Sequence, residues 1–236
     1  LPTYVTTVGR FGAAIADRLA ADPPSPAFAV CRVRGPHDLD EHQRAALLPW
    51  YRDAVLAELT PLLRAAATSG AGGRLDLVVI ADVAEVGGPI LVALGQALSE
   101  LLAQHFAVMF PPGTPADQRA VGLYVVVATP AIDRSAGGTA ALDALDRLTR
   151  WHLAGPPSPI LERVFVLPRQ NEVMPLADDD VERAVALFVA AAFRAGLRDA
   201  DVFRRRLGPA RDPARLIDAF AVAAADVDVP RLVAAF

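Results

Sequence analysis

Two short stretches have the residue types that hold an anion. Thr7-Val8-Gly9-Arg10-Phe11-Gly12 closes one apolar run, and Asp82-Val83-Ala84-Glu85-Val86-Gly87-Gly88-Pro89 closes another. Strand, glycine turn and helix together form a common phosphate seat. Glycine lets the backbone come close, while the N–H groups and dipole of a helix start favour negative charge. In the first stretch Gly9 and Gly12 fit the dinucleotide pattern G-x-G-x-x-G, with Thr7 where its first glycine would be. The next apolar run ends in Arg32-Val33-Arg34 rather than in a ribose-binding acid. An arginine there suits a 2′-phosphate, so an NADP-binding Rossmann-like enzyme is one reading.

In the second stretch Gly87 and Gly88 are the phosphate-loop candidates. Val83, Ala84 and Val86 bring no hydroxyl, and Pro89 removes one N–H donor. Asp82 and Glu85 would stand near an incoming phosphate unless a metal or Arg10 offset them. The alternative is that Gly87-Gly88-Pro89 turns the chain and starts a helix. A metal-dependent adhesion loop, Asp-x-Ser-x-Ser, is not present, because Ala84 and Val86 stand where the serines would be.

Other chemistries drop out by residue type. All 23 basic residues are arginine, which removes the P-loop lysine, the kinase ATP lysine and any Schiff-base lysine. None of Ser25, Ser69, Ser99, Ser135 and Ser158 lies in G-x-S-x-G. His37, His42, His105 and His152 are isolated and lack zinc-ligand spacing, so no metal site is expected. Cys31 is the single cysteine; an intramolecular disulfide is excluded, and a reducing, cytoplasmic setting is the expectation. The net charge of −4 exerts no general pull on nucleic acid, and Arg204-Arg205-Arg206 reads as a solvated helix end. Leu1-Pro2-Thr3-Tyr4 has no basic stretch leading into an apolar run, so no secretory leader is read there. Apolar stretches are interrupted before the ~18 residues of a membrane span.

Short apolar runs alternating with helical periodicity must position these residues. Strands are expected at residues 4–8, 28–33, 75–81, 121–128 and 160–167, with the third buried on both faces. Helices are expected at 13–21, at 40–67 with Pro49 and Pro61 dividing or kinking it, and after Pro89, where Leu91, Leu94, Leu98, Leu101 and Leu102 recur. Further helices are read around Leu142, Leu145 and Leu148, and from Asp178, where Asp179 and Glu182 have capping-box spacing. Gly196 reads as the C-cap of the latter, and a short Arg-rich helix is expected at 201–207. This is an α/β fold, a Rossmann-like three-layer sandwich with a mainly parallel sheet. It is read as one domain over residues 1–236, with 208–236 as a C-terminal extension packing on it.

Taken in order, the elements resemble the bacterial tubulin-like domain, a divergent relative of the tubulin and FtsZ GTPase domain. Val8-Gly9-Arg10-Phe11-Gly12 looks like that family's opening glycine turn. Val86-Gly87-Gly88-Pro89 falls at its glycine-rich signature loop. Glu162-Arg163-Val164-Phe165-Val166-Leu167-Pro168-Arg169-Gln170-Asn171-Glu172 is the closest match, and the stretch from Ala219 to Arg231 is similar to a segment near the domain end. The resemblance implies GTP bound with magnesium: Gly9, Arg10, Gly12, Asp82, Gly87 and Gly88 would lie around the phosphates, and Asn171 would contact the base. It also implies protein partners or head-to-tail self-assembly. The loop departs from the family pattern by lacking hydroxyls. The expectation is therefore a degenerate tubulin-like scaffold with nucleotide binding weakened or lost. An active GTPase is the first alternative, and the NADP-binding enzyme is the second.

Overall fold

Apolar runs rich in β-branched residues form strands that can be covered on both faces. The computed structural model describes residues 2–21, 25, 27–35, 38–39, 41–68, 74–108, 120–130, 136–154, 160–170, 176–194 and 216–219. Strands β1 (Thr3–Val8), β2 (Phe28–Val33), β3 (Leu75–Asp82), β4 (Val121–Thr129), β5 (Leu161–Pro168) and β6 (Ile217–Ala219) form one sheet in the order β2-β1-β3-β4-β5-β6. All its pairings are parallel. Every residue of β1, β3 and β4 is buried.

The helices are α1 (Gly9–Ala20), α2 (Glu41–Thr68), α3 (Val83–Val86), α4 (Gly88–His105), α5 (Ala136–Leu153) and α6 (Asp178–Val189). A π-helical turn, Ala190–Arg194, prolongs α6. Helix α1 packs with α6 on one face of the sheet, whereas α4 packs with both α2 and α5 on the other. Alternation along β3 serves both layers: Val78 and Ile80 join Phe11, Ile15 and Val185, while Leu77, Val79 and Ala81 join Tyr51, Leu94 and Leu148. Each such large aliphatic side chain contributes ~2 kcal/mol through burial. The result is the expected Rossmann-like three-layer sandwich, with β6 adding a short edge strand beside β5. Among the described residues no helix is long and apolar enough to cross a membrane.

Two local expectations are corrected. Of the two outcomes expected of Pro49 and Pro61, division of α2 or a kink, division does not occur, since the helix runs through both. Each removes the N–H that would serve the carbonyl four residues earlier. Those residues, Ala45 and Ala57, are exposed, so water can take the vacated bonds. Asp179 and Glu182 do not form a capping box, because the N-cap is Ala177 and no side chain caps it. Their carboxylates instead take Arg18 from α1, which ties the two helices of that layer, and Asp179 also pairs with Arg183 one turn along α6. Hydrogen bonding from Arg18 holds the Asp179 pKa below its ordinary value. Gly196 and residues 201–207 lie outside the described residues.

The amino ends of the strands carry a polar cluster of their own. Arg74 donates to the Tyr124 hydroxyl at 3.0 Å and to Glu162 at 2.5 Å, and Tyr124 donates to Glu162 at 2.8 Å. Burial lowers the Arg74 pKa, but Tyr124, Glu162 and Asp76 outweigh it and the net shift is upward. A Cβ at Gly122 would stand 2.5 Å from Arg74 Nη2 and 2.7 Å from Glu162 Cδ. A larger residue there would push the ion pair from its present position.

Candidate functional site

In an open parallel sheet, ligands favour the carboxyl ends of strands where successive connections leave in opposite directions. Here that crevice lies between β1 and β3, since β2 follows β1 on one side and β4 follows β3 on the other. Both glycine-bearing stretches end at it. Gly9 begins α1 at φ +76°, and Asp82 ends β3 and caps the single turn α3.

Helix α1 has no capping side chain of its own, because its N-cap is Val8. Its first amides would stay unsatisfied without help from elsewhere. Help comes from Glu85. The Arg10 amide donates to Glu85 Oε1 at 2.5 Å, and the Phe11 amide donates to Oε2 at 3.1 Å. The carboxylate stands where a phosphate would sit on a helix start, and contributes ~0.5–2 kcal/mol as cap and dipole partner. A Cβ at Gly9 would lie 2.5 Å from Glu85 Cδ, so this position must be glycine both for its φ and for the carboxylate beside it.

Asp82 is held from two sides. Its Oδ1 accepts from the Ala84 amide at 2.8 Å, and its Oδ2 accepts from Arg169 Nη2 at 2.7 Å. Arg169 follows β5 directly, pairs with Asp178 through Nη1, and lies 5.2 Å above the Phe11 ring centre. Together these side chains line an open cleft of about 570 Å³ whose walls also include Ala84 and Glu182.

The structure thus brings Gly9, Arg10, Asp82 and Glu85 together. The Arg10 side chain stands at the rim, 85% exposed, with Nε 3.6 Å from Glu85 Oε1. The charge of Asp82 is met by Arg169, and that of Glu85 by backbone amides as well as by Arg10. Gly12 sits further along α1, where a Cβ would come 2.8 Å from the Thr7 carbonyl carbon; it lets the helix lie close on its strand. Gly87 turns the chain between α3 and α4 at φ +76° and ψ 154°. This conformation is essentially restricted to glycine. Gly88 faces α5, where a Cβ would stand 2.7 Å from Ala144 Cα. Both therefore have a folding reason for being glycine. Asn171 lies outside the described residues.

Arg169 and Asp178 are not among the candidates read from sequence, Phe11 enters there only as part of the first glycine stretch, and Glu85 enters only as an acid near a phosphate, not as the partner of the α1 amides. The signal for Arg169 is its position just after a strand, at the ligand-bearing edge. For Glu85 the signal was an acid one turn beyond Asp82, with nothing nearby in sequence to name the amides it binds. Among the described residues no group of three or more His, Cys, Asp or Glu side chains could hold a metal ion. Comparison of the chain with protein-family models, with curated proteins and with solved structures finds no match.

Proposed function

We propose that the chain is a degenerate tubulin-like domain that works through protein contacts, as an interaction or assembly module, without a nucleotide at its switch point. The observation that carries this reading is the Glu85 carboxylate on the Arg10 and Phe11 amides. A phosphate aimed at the first glycine turn meets a negative charge already seated there. The second glycine stretch adds no donor hydroxyl, and Gly88 is committed to packing against Ala144.

Calorimetric titration of GTP with magnesium into the intact chain tests the reading, and no saturable heat is expected. Submicromolar binding would overturn it in favour of a working GTP-binding domain. NADPH binding in a parallel titration would instead support the NADP-dependent enzyme. The assembly side is tested by light scattering over a concentration series: mass should rise with concentration or on adding a cognate protein. A strict monomer under all these conditions counts against a module that self-assembles.

A further inference from the structure

Helix α2 is apolar on both sides, although the sheet covers only one. Leu47, Tyr51, Val55 and Leu59 are buried in the core. On the opposite side Ala46, Trp50, Asp53, Ala57, Pro61 and Arg64 recur at steps of three or four residues, and all six are exposed. Those steps keep them in one stripe along the helix. A surface helix ordinarily presents charged and polar residues there. Here Trp50 is 47% exposed, and it is the only exposed aromatic side chain among the described residues.

The two charges of the stripe have no use within the chain. Neither Asp53 nor Arg64 has a hydrogen-bond or ion-pair partner among the described residues, whereas Arg52 pairs with Glu100 of α4 and Glu58 accepts from the Tyr4 hydroxyl of β1. Asp53 lies four residues before Ala57 and Pro61 four after it, while Trp50 and Arg64 lie seven before and seven after. The stripe is therefore its own complement when a second α2 runs antiparallel to it about a two-fold axis through Ala57. In that pairing Ala57 meets Ala57 and lets the helix axes approach to ~8 Å. Each Trp50 faces Arg64 of the second copy, and each Asp53 lies beside that same guanidinium. Arginine is favoured both over an indole face and against a carboxylate. Symmetry makes every contact twice, over about 21 Å of helix.

We propose that the outer face of α2 is the contact surface for a second copy of this chain, in an antiparallel two-fold dimer centred on Ala57. A two-fold contact closes at two copies, unlike the head-to-tail assembly that the tubulin resemblance implies. The proposal goes beyond the reading of the switch point and does not depend on it, because α2 packs against α4 and β2 and lines no part of the cleft. Two helix faces in contact over this length form a small interface, so the dimer is weak and reversible.

The test is sedimentation velocity of the full chain over a concentration series. Wild type should move from one copy toward two and stop there. Asp53→Arg should weaken dimerisation at least about tenfold, because arginine then faces arginine at both contacts. Arg64→Asp should do the same by setting aspartate against aspartate. Mixing these two variants should restore a dimer, since opposite charges then meet at both contacts. That recovery needs the antiparallel pairing, and it shows that both variants are folded. Trp50→Ala should also weaken the dimer while the circular dichroism of the monomer stays unchanged. Wild type that remains one copy at its highest soluble concentration overturns the proposal in favour of an unlike partner on this face. Swapped variants that dimerise like wild type, or that do not recover on mixing, overturn it too, as does a mass that rises past two copies. If either swap does not fold, Ala57→Glu, which puts two like charges on the axis, takes its place, and undiminished dimerisation of that variant overturns the proposal. GTP binding to the chain would sink the proposed function and leave the dimer to this test.

Discussion

Tyr51 carries a buried hydroxyl that links α2 to β1. It lies 2.8 Å from the Thr6 hydroxyl, and both residues are fully buried between α2 and β1. Burial raises the Tyr51 pKa, and Cys31 and Glu58 add to the shift, while the hydrogen bond with Thr6 opposes it. The folded value therefore lies above the unfolded one, near 10. The stability linked to this group is fully present below pH ~10 and is lost as pH rises beyond it. Tyr51→Phe should cost ~1–2 kcal/mol at neutral pH by leaving Thr6 without its partner. Above pH ~10 the gap to wild type should close, because the variant has no phenol to ionise there. Urea denaturation across that range measures both effects, and a gap that widens with pH would contradict the assignment.

At the scale of elements, close approach decides which glycines matter. Gly88→Ala should cost ~1–3 kcal/mol, since the new methyl meets the backbone of α5 rather than a side chain that can move. A near-neutral change in urea midpoint would refute so tight an α4–α5 contact. The tie between α1 and α6 predicts a pH effect of opposite sign to the tyrosine one. Arg18 lowers the Asp179 pKa, so the carboxylate's contribution is present above the unfolded value near 4 and vanishes as pH falls through the folded one. Asp179→Asn should thus differ from wild type at neutral pH and converge with it in acid, as followed by denaturation midpoints. The elements themselves were legible because local pattern determines them: the unbroken Leu-Val-Val-Ile run makes β3, and Pro89 marks the first turn of α4. What joins them was not. Glu85 meets amides 74 and 75 positions away, and Arg169 meets Asp82 across 87, so no window of sequence contains either pair. Asp179 shows the same limit in reverse: capping-box spacing was present, but an arginine from another helix claimed the carboxylate.

Across the whole molecule, protection should follow position in the sheet. Amides of β1, β3 and β4 are paired on both sides and buried, and should exchange most slowly; those of the edge strands β2 and β6 should exchange first. Hydrogen exchange by mass spectrometry checks this order, and early exchange in β3 would contradict the sheet described. The place of β1 inside that sheet also bears on how the chain is made. Thr3 pairs with Phe28 on one side and with Asp76 on the other. As the polypeptide leaves the ribosome, β1 gains its first neighbour early but keeps one bare, apolar edge until β3 has emerged. During that interval the strand presents unpaired backbone groups, and the length of α2 sets how much chain must follow β2 before β3 can cover them.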